Sequence, residues 1–560
     1  MAKVLWFREL DDWAALVAPA LVLPSGLLAF GLFHDFPPFS PALLIAWLWL
    51  VLAGLALGLV LSAMRSKLAR SLIFGLLLIF YLDVQFDFIR FVEGLGDISD
   101  FSILRLGDRV IAIGAVFGLV VLLRRHLSTI LLLVFGVIFV STLFIPPKPA
   151  PYGQIHSATV ESGQSDLPTI VHIVLDGHIG PDGIPSTIAG GPALRRELID
   201  FYVGEGFRVY GRAYSQYMES ILSLSALLNG GDQSFADLLQ KRDDQLYTVE
   251  QNAYFEELAA RGHPIRVYET DYLVYCGAPG PSLESCYRVT ASSVRPVGGI
   301  EVADRQKAKL LLAAYFQSSK IYSSLAKLYD KATRGRDFDL LPPRVRRKET
   351  FSPLEAPRVF DRLVDDIESA PPGHAFFAHI MLPHEPYIYD SDCAVRGDLD
   401  QWLGRRFDFS RNGIGTPAER VEAYELYFLQ VRCAMRSLSR VFAALKEAGL
   451  WERSTIVLHG DHGSRIALRD PIEAYLDKLT EEDLVDAYST FFAIRSPGVA
   501  PGYDPRSVSV QDLFAEFFLR RAPKPDDGVV YAMRSHAEAP PKALRMAPIG
   551  SDESGVSNED

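Results

Sequence analysis

Five apolar stretches crowd the first 145 residues of this 560-residue chain and constrain its fold more than any other feature: 13–33, 43–61, 71–88, 110–123 and 127–145. Crossing a bilayer core of roughly 30 Å takes about 20 apolar residues as a helix. The first, second and fifth meet that length, while 71–88 is interrupted by Asp83 and Asp87 and 110–123 is short. Arg105, Arg109, Arg124 and Arg125 at the ends of the fourth stretch would let it cross by snorkelling. Lys3 and Arg8 precede the first stretch, Arg65, Lys67 and Arg70 separate the second from the third, and Arg124 and Arg125 separate the fourth from the fifth. Lys and Arg collect in cytoplasmic loops. The expectation is therefore a five-helix transmembrane domain over 1–145 with a cytoplasmic N-terminus, placing everything after it outside. If 110–123 failed to cross, that remainder would be cytoplasmic. Stretch 13–33 is too long for a signal-peptide core and no small-residue cleavage pattern follows it, so it reads as an anchor.

Charge divides the chain at the same place. Residues 1–150 hold eleven Lys/Arg against ten Asp/Glu, a balance of +1, so the rest of the chain carries −13 of the total −12. An acidic soluble part argues against nucleic acid as a partner. The four cysteines all lie in that part; Cys276 and Cys286 are close in sequence, and Cys393 and Cys433 flank a loop and a helix. Two local disulfides formed in an oxidising compartment are expected, the first contributing about 3 kcal/mol by closing a short loop. The alternative is four buried free thiols.

Residues 146–168 are rich in Pro, Ser and Gly and suit a juxtamembrane linker. Beyond them short β-branched runs at 169–175 (TIVHIVL), 207–210, 265–268, 375–381, 455–459 and 490–494 alternate with helical patterns at 220–228, 254–261, 303–329, 417–448 and 510–520. Such alternation predicts an α/β domain over 169–534, with a mainly parallel sheet between helices and ligands bound beyond the carboxyl ends of strands. No internal repeat is present. Residues 535–560, acidic and poor in aromatics, read as a disordered tail.

Three of these strand ends carry polar residues that packing does not require: Asp176 after TIVHIVL, His384 in HIMLPHEPY, and Asp461-His462 in TIVLHGDHG. Carboxylates and a neutral imidazole arriving at one sheet edge suit a divalent ion, Zn²⁺ first and Mn²⁺ or Mg²⁺ as alternatives. The segment YSQYMESILSLSALLNG (214–230) adds a turn and then a helix start at Ser220. A serine there is ordinarily a cap. Beside a metal its hydroxyl becomes a nucleophile, and the helix N-terminus suits a phosphate or sulfate.

Asp-Gly after the first strand, a hydroxyl at a helix start 44 residues later, PHxPY and a late DHG after a strand together resemble the alkaline phosphatase and sulfatase superfamily. With N-terminal spans, the layout resembles lipoteichoic acid synthases and lipid A phosphoethanolamine transferases. The resemblance implies that Asp176, Ser220, Asp461 and His462 hold the metal, that Ser220 is the nucleophile and that His384 contacts the phosphoryl group or the leaving oxygen. Two departures stand out: Ser220 replaces the usual Thr of the transferases, and Asp176 their usual Glu. Ser223 is a second candidate nucleophile. Sulfatase chemistry proper needs x-Pro-x-Arg after the nucleophile, whereas Ser220 is followed by Ile221, Leu222, Ser223 and Leu224.

Other residues have weaker claims. Arg465, three residues after His462, would pair with a phosphate, and His178 would reach the site unless solvent satisfies it. His459 packs at its strand end or serves a second metal. Asp83 and Asp87, four apart on one helix face, would bind a cationic lipid head group unless the span simply ends early. Arg344, Arg346, Arg347 and Lys348 would face an anionic surface or solvent. The combined expectation is an integral protein of the bacterial inner membrane with a periplasmic catalytic domain. It would move phosphoethanolamine or phosphoglycerol from a phospholipid to a hydroxyl of an envelope glycan or lipid through a phosphoserine intermediate. A membrane-anchored phosphatase or phosphodiesterase using water is the alternative, and a non-catalytic envelope assembly partner the third.

Overall fold

The computed structural model describes residues 2–86, 88, 114–144, 154–157, 166–230, 247–249, 251–270, 272–276, 281–289, 294–317, 319–332, 351–397, 416–519, 528–532 and 542–546. The chain divides into two units. One holds the N-terminal helices with residues 294–348 and 397–404; the other comprises 152–293, 349–396 and 405–560.

In the first unit four helices among the described residues are long and apolar enough to cross a membrane: Asp12–Phe33, Pro41–Ala63, Lys67–Phe86 and Leu127–Phe144. Of the expected fourth span, 114–122 is helical and 110–113 lie outside the described residues. Gly54 and Gly58, one helical turn apart, let Pro41–Ala63 approach the first helix closely. A Cβ at Gly54 would lie 2.6 Å from Pro19 O, and one at Gly58 only 1.9 Å from Leu16 O. Small residues at this spacing bring helix backbones together in lipid, where apolar burial alone gives no preference for a helix partner.

The helical pattern expected over 303–329 forms two helices, Asp304–Tyr315 and Lys320–Ala332. Both belong to the first unit, interrupting the stretch assigned by sequence to the α/β domain. The Tyr315 hydroxyl accepts from Gln85 Nε2 at 2.7 Å, and the rings of Phe30 and Tyr315 lie 5.5 Å apart.

The second unit carries the strands β1 (Gln154–Ser157), β2 (Ile170–Leu175), β3 (Arg208–Tyr214), β4 (Tyr247–Thr248), β5 (Ile265–Thr270), β6 (Leu273–Val274), β7 (Ser285–Val289), β8 (Ala375–Ile380), β9 (Thr455–His459), β10 (Phe492–Arg495), β11 (Gly502–Ser509), β12 (Val529–Ala532) and β13 (Lys542–Arg545). Nine form one sheet in the order β1-β7-β5-β8-β2-β9-β10-β3-β11. β2 lies parallel between β8 and β9, while β10 is antiparallel to both its neighbours. Every side chain of β2 is buried, which explains its unbroken apolar run. The residues 542–546, expected to be disordered, are a correction: β13 pairs with β12, and Leu544 and Met546 are buried against a cluster that includes Tyr488. Both expected disulfides form, Cys276–Cys286 and Cys393–Cys433.

One core feature is titratable. His459 Nδ1 donates to Gly460 O at 2.7 Å, which leaves its Nε2 to accept from His172 Nε2 at 2.7 Å. His459 is thereby engaged on the apolar side of its strand end. The His172 ring sits among Tyr254, Phe377, Phe514 and Phe518. Burial, with His459 adding to it, holds His172 well below the ordinary imidazole value. In the unfolded chain that imidazole binds a proton near pH 6.5, so its contribution to stability is present above 6.5 and lost as pH falls. Between pH 6.5 and 4 the wild-type unfolding free energy should fall relative to His172→Phe, by up to about 1.4 kcal/mol per pH unit. Urea unfolding of the detergent-solubilised chain measures this; parallel pH profiles would refute it.

Candidate metal and nucleophile site

Asp176 follows the last residue of β2, and Asp461 and His462 follow β9, so two adjacent parallel strands deliver them to one edge. Ligand atoms of Asp176, Asp461 and His462 all lie within 4.8 Å of one another, and all three residues are buried. Ser220 opens the helix Ser220–Leu228, whose nine residues are all buried. Its Oγ is 3.4 Å from Asp176 Oδ2 and 3.4 Å from His462 Nε2.

Orientation of the polar atoms is specific. His462 Nδ1 donates to Gly463 O at 2.8 Å, so the Nε2 lone pair faces Asp176 Oδ1 at 3.3 Å and Asp461 Oδ2 at 3.4 Å. Asp461 Oδ1 accepts from the backbone N–H groups of Gly177 and His462 at 2.9 and 3.0 Å. Asp176 Oδ1 and Asp461 Oδ2 have no hydrogen-bond partner. Two carboxylate oxygens without a donor and an imidazole lone pair, all buried, face one another. For the carboxylate pair alone, repulsion at this separation is at least about 3 kcal/mol at an effective dielectric of about 20. A divalent cation satisfies all three atoms, and carboxylate, imidazole and hydroxyl are suitable donors for it. The chain therefore fits a metal at this site.

His384 lies at the rim, its Nε2 3.8 Å from Asp176 Oδ1 and its Nδ1 donating to Glu385 O at 2.6 Å. Burial, joined by Arg465 and His462, lowers its pKa against the pull of Asp176. Burial alone would raise Asp176; His384, His379 and His462 outweigh it and hold its carboxyl well below the usual range. Arg465 is partly buried beside the helix start, its guanidinium donating through Nε to Met218 O at 3.0 Å. Asp176, Ser220, His384, Asp461 and His462 thus stand together, with Arg465 at Met218.

Three expected site residues are placed elsewhere. His178 is neither solvated nor at the metal edge. Its ring packs on Phe491 at 4.7 Å with Nδ1 on Ile179 O, and burial depresses it to about 4. Asp83 is buried and accepts on Oδ2 from Ser319 Oγ at 2.7 Å and Ile321 N at 3.0 Å, so protein donors engage the carboxylate expected to meet a cationic lipid head group. Ser223 Oγ donates to the main-chain oxygen of Asp461 at 2.5 Å and lies 2.8 Å from Ser215 Oγ, so its hydroxyl is engaged by protein groups. Asp87 and the basic cluster 344–348 lie outside the described residues. A second cluster of ligand types, Glu269 with Cys276 and Cys286, has its thiols joined in a disulfide and its carboxylate on the N–H groups of Tyr275 and Cys276.

Supporting residues emerge that the strand-end pattern does not single out. His379 in β8 places Nε2 3.2 Å from Asp176 Oδ2, turning Oδ1 toward the site. Its signal was a histidine inside the apolar run AFFAHIML. Tyr427 and Gln430 come from one face of the helix Pro417–Glu447. Tyr427 Oη accepts from Ile179 N and donates to Gly177 O, while Gln430 Nε2 donates to Pro383 O and His384 O. Tyr275 packs edge-on to His379 at 6.2 Å, with its hydroxyl buried and unpartnered.

His379 orients the Asp176 carboxylate through the oxygen that does not face Asp461 and His462. Such outer partners typically contribute 10–100-fold to metal affinity. His379→Ala should weaken metal binding by about that factor with the fold retained. Competitive chelator titration with circular dichroism reads both, and unchanged affinity would show that His379 does not orient Asp176.

No family model and no curated protein matches the chain. Among solved structures it is similar to a phosphonate monoester hydrolase of Agrobacterium radiobacter at 12% identity, covering 67% of this chain and 85% of that one, with a TM-score of 0.38. It is also similar to a sulfatase from a glycosaminoglycan-metabolism locus of Bacteroides thetaiotaomicron, at 13% identity, 66% and 80% coverage and a TM-score of 0.37. The zinc complex of the periplasmic domain of EptC from Escherichia coli gives 10% identity, 70% and 94% coverage and a TM-score of 0.35.

Proposed function

We propose that the chain is a membrane-bound, metal-dependent enzyme that transfers a phosphoryl-linked head group from a phospholipid to a hydroxyl acceptor through Ser220. One observation carries the proposal. The Ser220 hydroxyl stands 3.4 Å from both Asp176 and His462, at a buried helix start, in a chain with four helices apolar enough to cross a membrane.

A divalent cation held by Asp176, Ser220, Asp461 and His462, most simply Zn²⁺, would lower the pKa of the Ser220 hydroxyl and offset charge gathering at phosphorus. Ser220 Oγ forms a bond to phosphorus and the bond to the diacylglycerol oxygen breaks. Nε2 of His384, neutral because burial lowers its pKa, takes up the serine proton and returns it to the leaving oxygen. Arg465 and the N–H groups at the start of Ser220–Leu228 steady the phosphoryl oxygens. An acceptor hydroxyl then attacks phosphoserine, the bond from phosphorus to Ser220 Oγ breaks, and the acceptor's proton passes through His384 to Ser220 Oγ, which is regenerated. Phosphoethanolamine and phosphoglycerol are the head groups considered, with an envelope glycan or lipid as acceptor and the catalytic unit on the periplasmic side.

Intact protein incubated with phosphatidylethanolamine or phosphatidylglycerol should gain the mass of the head-group phosphate on Ser220. Ser220→Ala should lose that adduct and about 10³-fold or more of turnover, with its metal content retained. Full activity in Ser220→Ala would end the proposal. Release of free head group at one rate with and without a glycan acceptor would make the enzyme a hydrolase.

A further inference from the structure

The helix Lys320–Ala332 interrupts the sequence of the α/β unit yet is built into the membrane unit. Its first turn is held from a membrane helix. Asp83 Oδ2 accepts from Ser319 Oγ and from Ile321 N, and Ser319 Oγ accepts in turn from Tyr322 N at 3.0 Å. Asp83 lies three residues before the end of Lys67–Phe86, about 4–5 Å inside it along the axis. The preceding turn is anchored as well, through Phe316 against Phe80 at 5.8 Å and Tyr315 on Gln85. The helix start is thus fixed at the depth where one membrane helix ends.

From that start the sequence divides into two stripes. Ile321, Leu325, Leu328 and Ala332 recur at helical spacing, as do Lys320, Ser324, Lys327 and Lys331 on the flank about 100° round the helix. Leu325 and Leu328 are 52% and 65% exposed. Outside the N-terminal helices, the other large apolar side chain of this unit that is exposed among the described residues is Phe39, at 78%, in the loop between the first two membrane helices. That loop is at the same end, because Asp35 pairs with Arg295 at 3.0 Å and Phe30 with Tyr315. Amphipathic helices with lysine on the polar face settle about 5–10 Å into the boundary between head groups and acyl chains.

We infer that Lys320–Ala332 is an interfacial helix lying in the head-group layer of the bilayer that Lys67–Phe86 crosses, with Leu325 and Leu328 in the lipid. This rests on the membrane reading of the N-terminal helices and is independent of the chemistry at Ser220. The lipid contact continues the apolar surface of the spans, and the lysine-bearing stripe of the sequence suits the head-group layer. The catalytic chain thereby returns to the membrane surface a second time after its N-terminal anchor.

The full chain has its four native cysteines in disulfides, so single cysteines at positions 325, 328, 324, 137 and 421 can each carry an environment-sensitive fluorophore in nanodiscs. Val137 is exposed on the span Leu127–Phe144, and Val421 is exposed on the α/β unit. Nitroxide lipid labelled near the top of the acyl chain should quench the labels at 325 and 328 as strongly as the one at 137. Aqueous iodide should quench those at 324 and 421. If 137 is lipid-quenched while 325 and 328 respond only to iodide, the interfacial helix is refuted and the spans stand. If 137 also responds only to iodide, the membrane reading fails and the inference with it.

Discussion

Three buried acceptor atoms facing one another, Asp176 Oδ1, Asp461 Oδ2 and His462 Nε2, set the terms for the second unit. Left alone they repel, and the surrounding chain keeps them from relaxing apart. β2 and β9, adjacent and in parallel register, bring the two aspartates to one edge. Gly177 N and His462 N hold one oxygen of Asp461, and His379 holds one oxygen of Asp176. Tyr427 pins the turn after Asp176, and Gln430, one turn further along the same helix, pins the loop that carries His384. Each support fixes an acceptor by its far side and leaves the near side open, which is the preorganisation a metal-assisted displacement requires.

How much of this was legible in the sequence depends on how local the signal is. TIVHIVL, AFFAHI and TIVLH read as buried parallel strands because no polar residue at period two marks a wet face, and all three stand at the centre of the sheet. β11 was not legible: it contains Asp504, Pro505 and Arg506, a composition tolerated because it is an edge strand with a register shift between Asp504 and Ser507. Asp176, Ser220, Asp461 and His462 were visible because each sits where a strand or loop gives way to another element. Tyr427 and Gln430 were not, since at helical spacing a tyrosine and a glutamine look like any partly polar helix face. Tyr275 follows the two-residue strand β6, which periodicity cannot detect.

The helices Asp304–Tyr315 and Lys320–Ala332 show a different limit. Their periodicity predicted helices correctly and their placement in the α/β domain incorrectly, because a 3.6-residue repeat records that a face is covered and not what covers it. Leu310, Leu311 and Leu312 are buried in the first of these helices. What separates a helix of the α/β core from one built onto the N-terminal helices is the anchoring of its ends, here Asp83 with Ser319 and Gln85 with Tyr315, contacts more than 200 residues apart in sequence.

Asp83 and Asp176 bring both units under one criterion. Each is an aspartate with no exposed surface, and in sequence each looks like a buried charge in search of a counterion. Asp83 has a hydroxyl and a helix N–H on one oxygen, so the start of a helix already supplies the positive end of a dipole. Glu269 resembles it, with two backbone N–H groups and Arg288 around its carboxylate. Asp176 differs because its second oxygen meets only other acceptors. Burial is therefore common to all three, and the juxtaposition of its second oxygen with other acceptors marks Asp176 as the site suited to a cation. By that measure the cation site lies at the carboxyl ends of β2 and β9, and the acidic residue of the first unit serves to hold a helix in place.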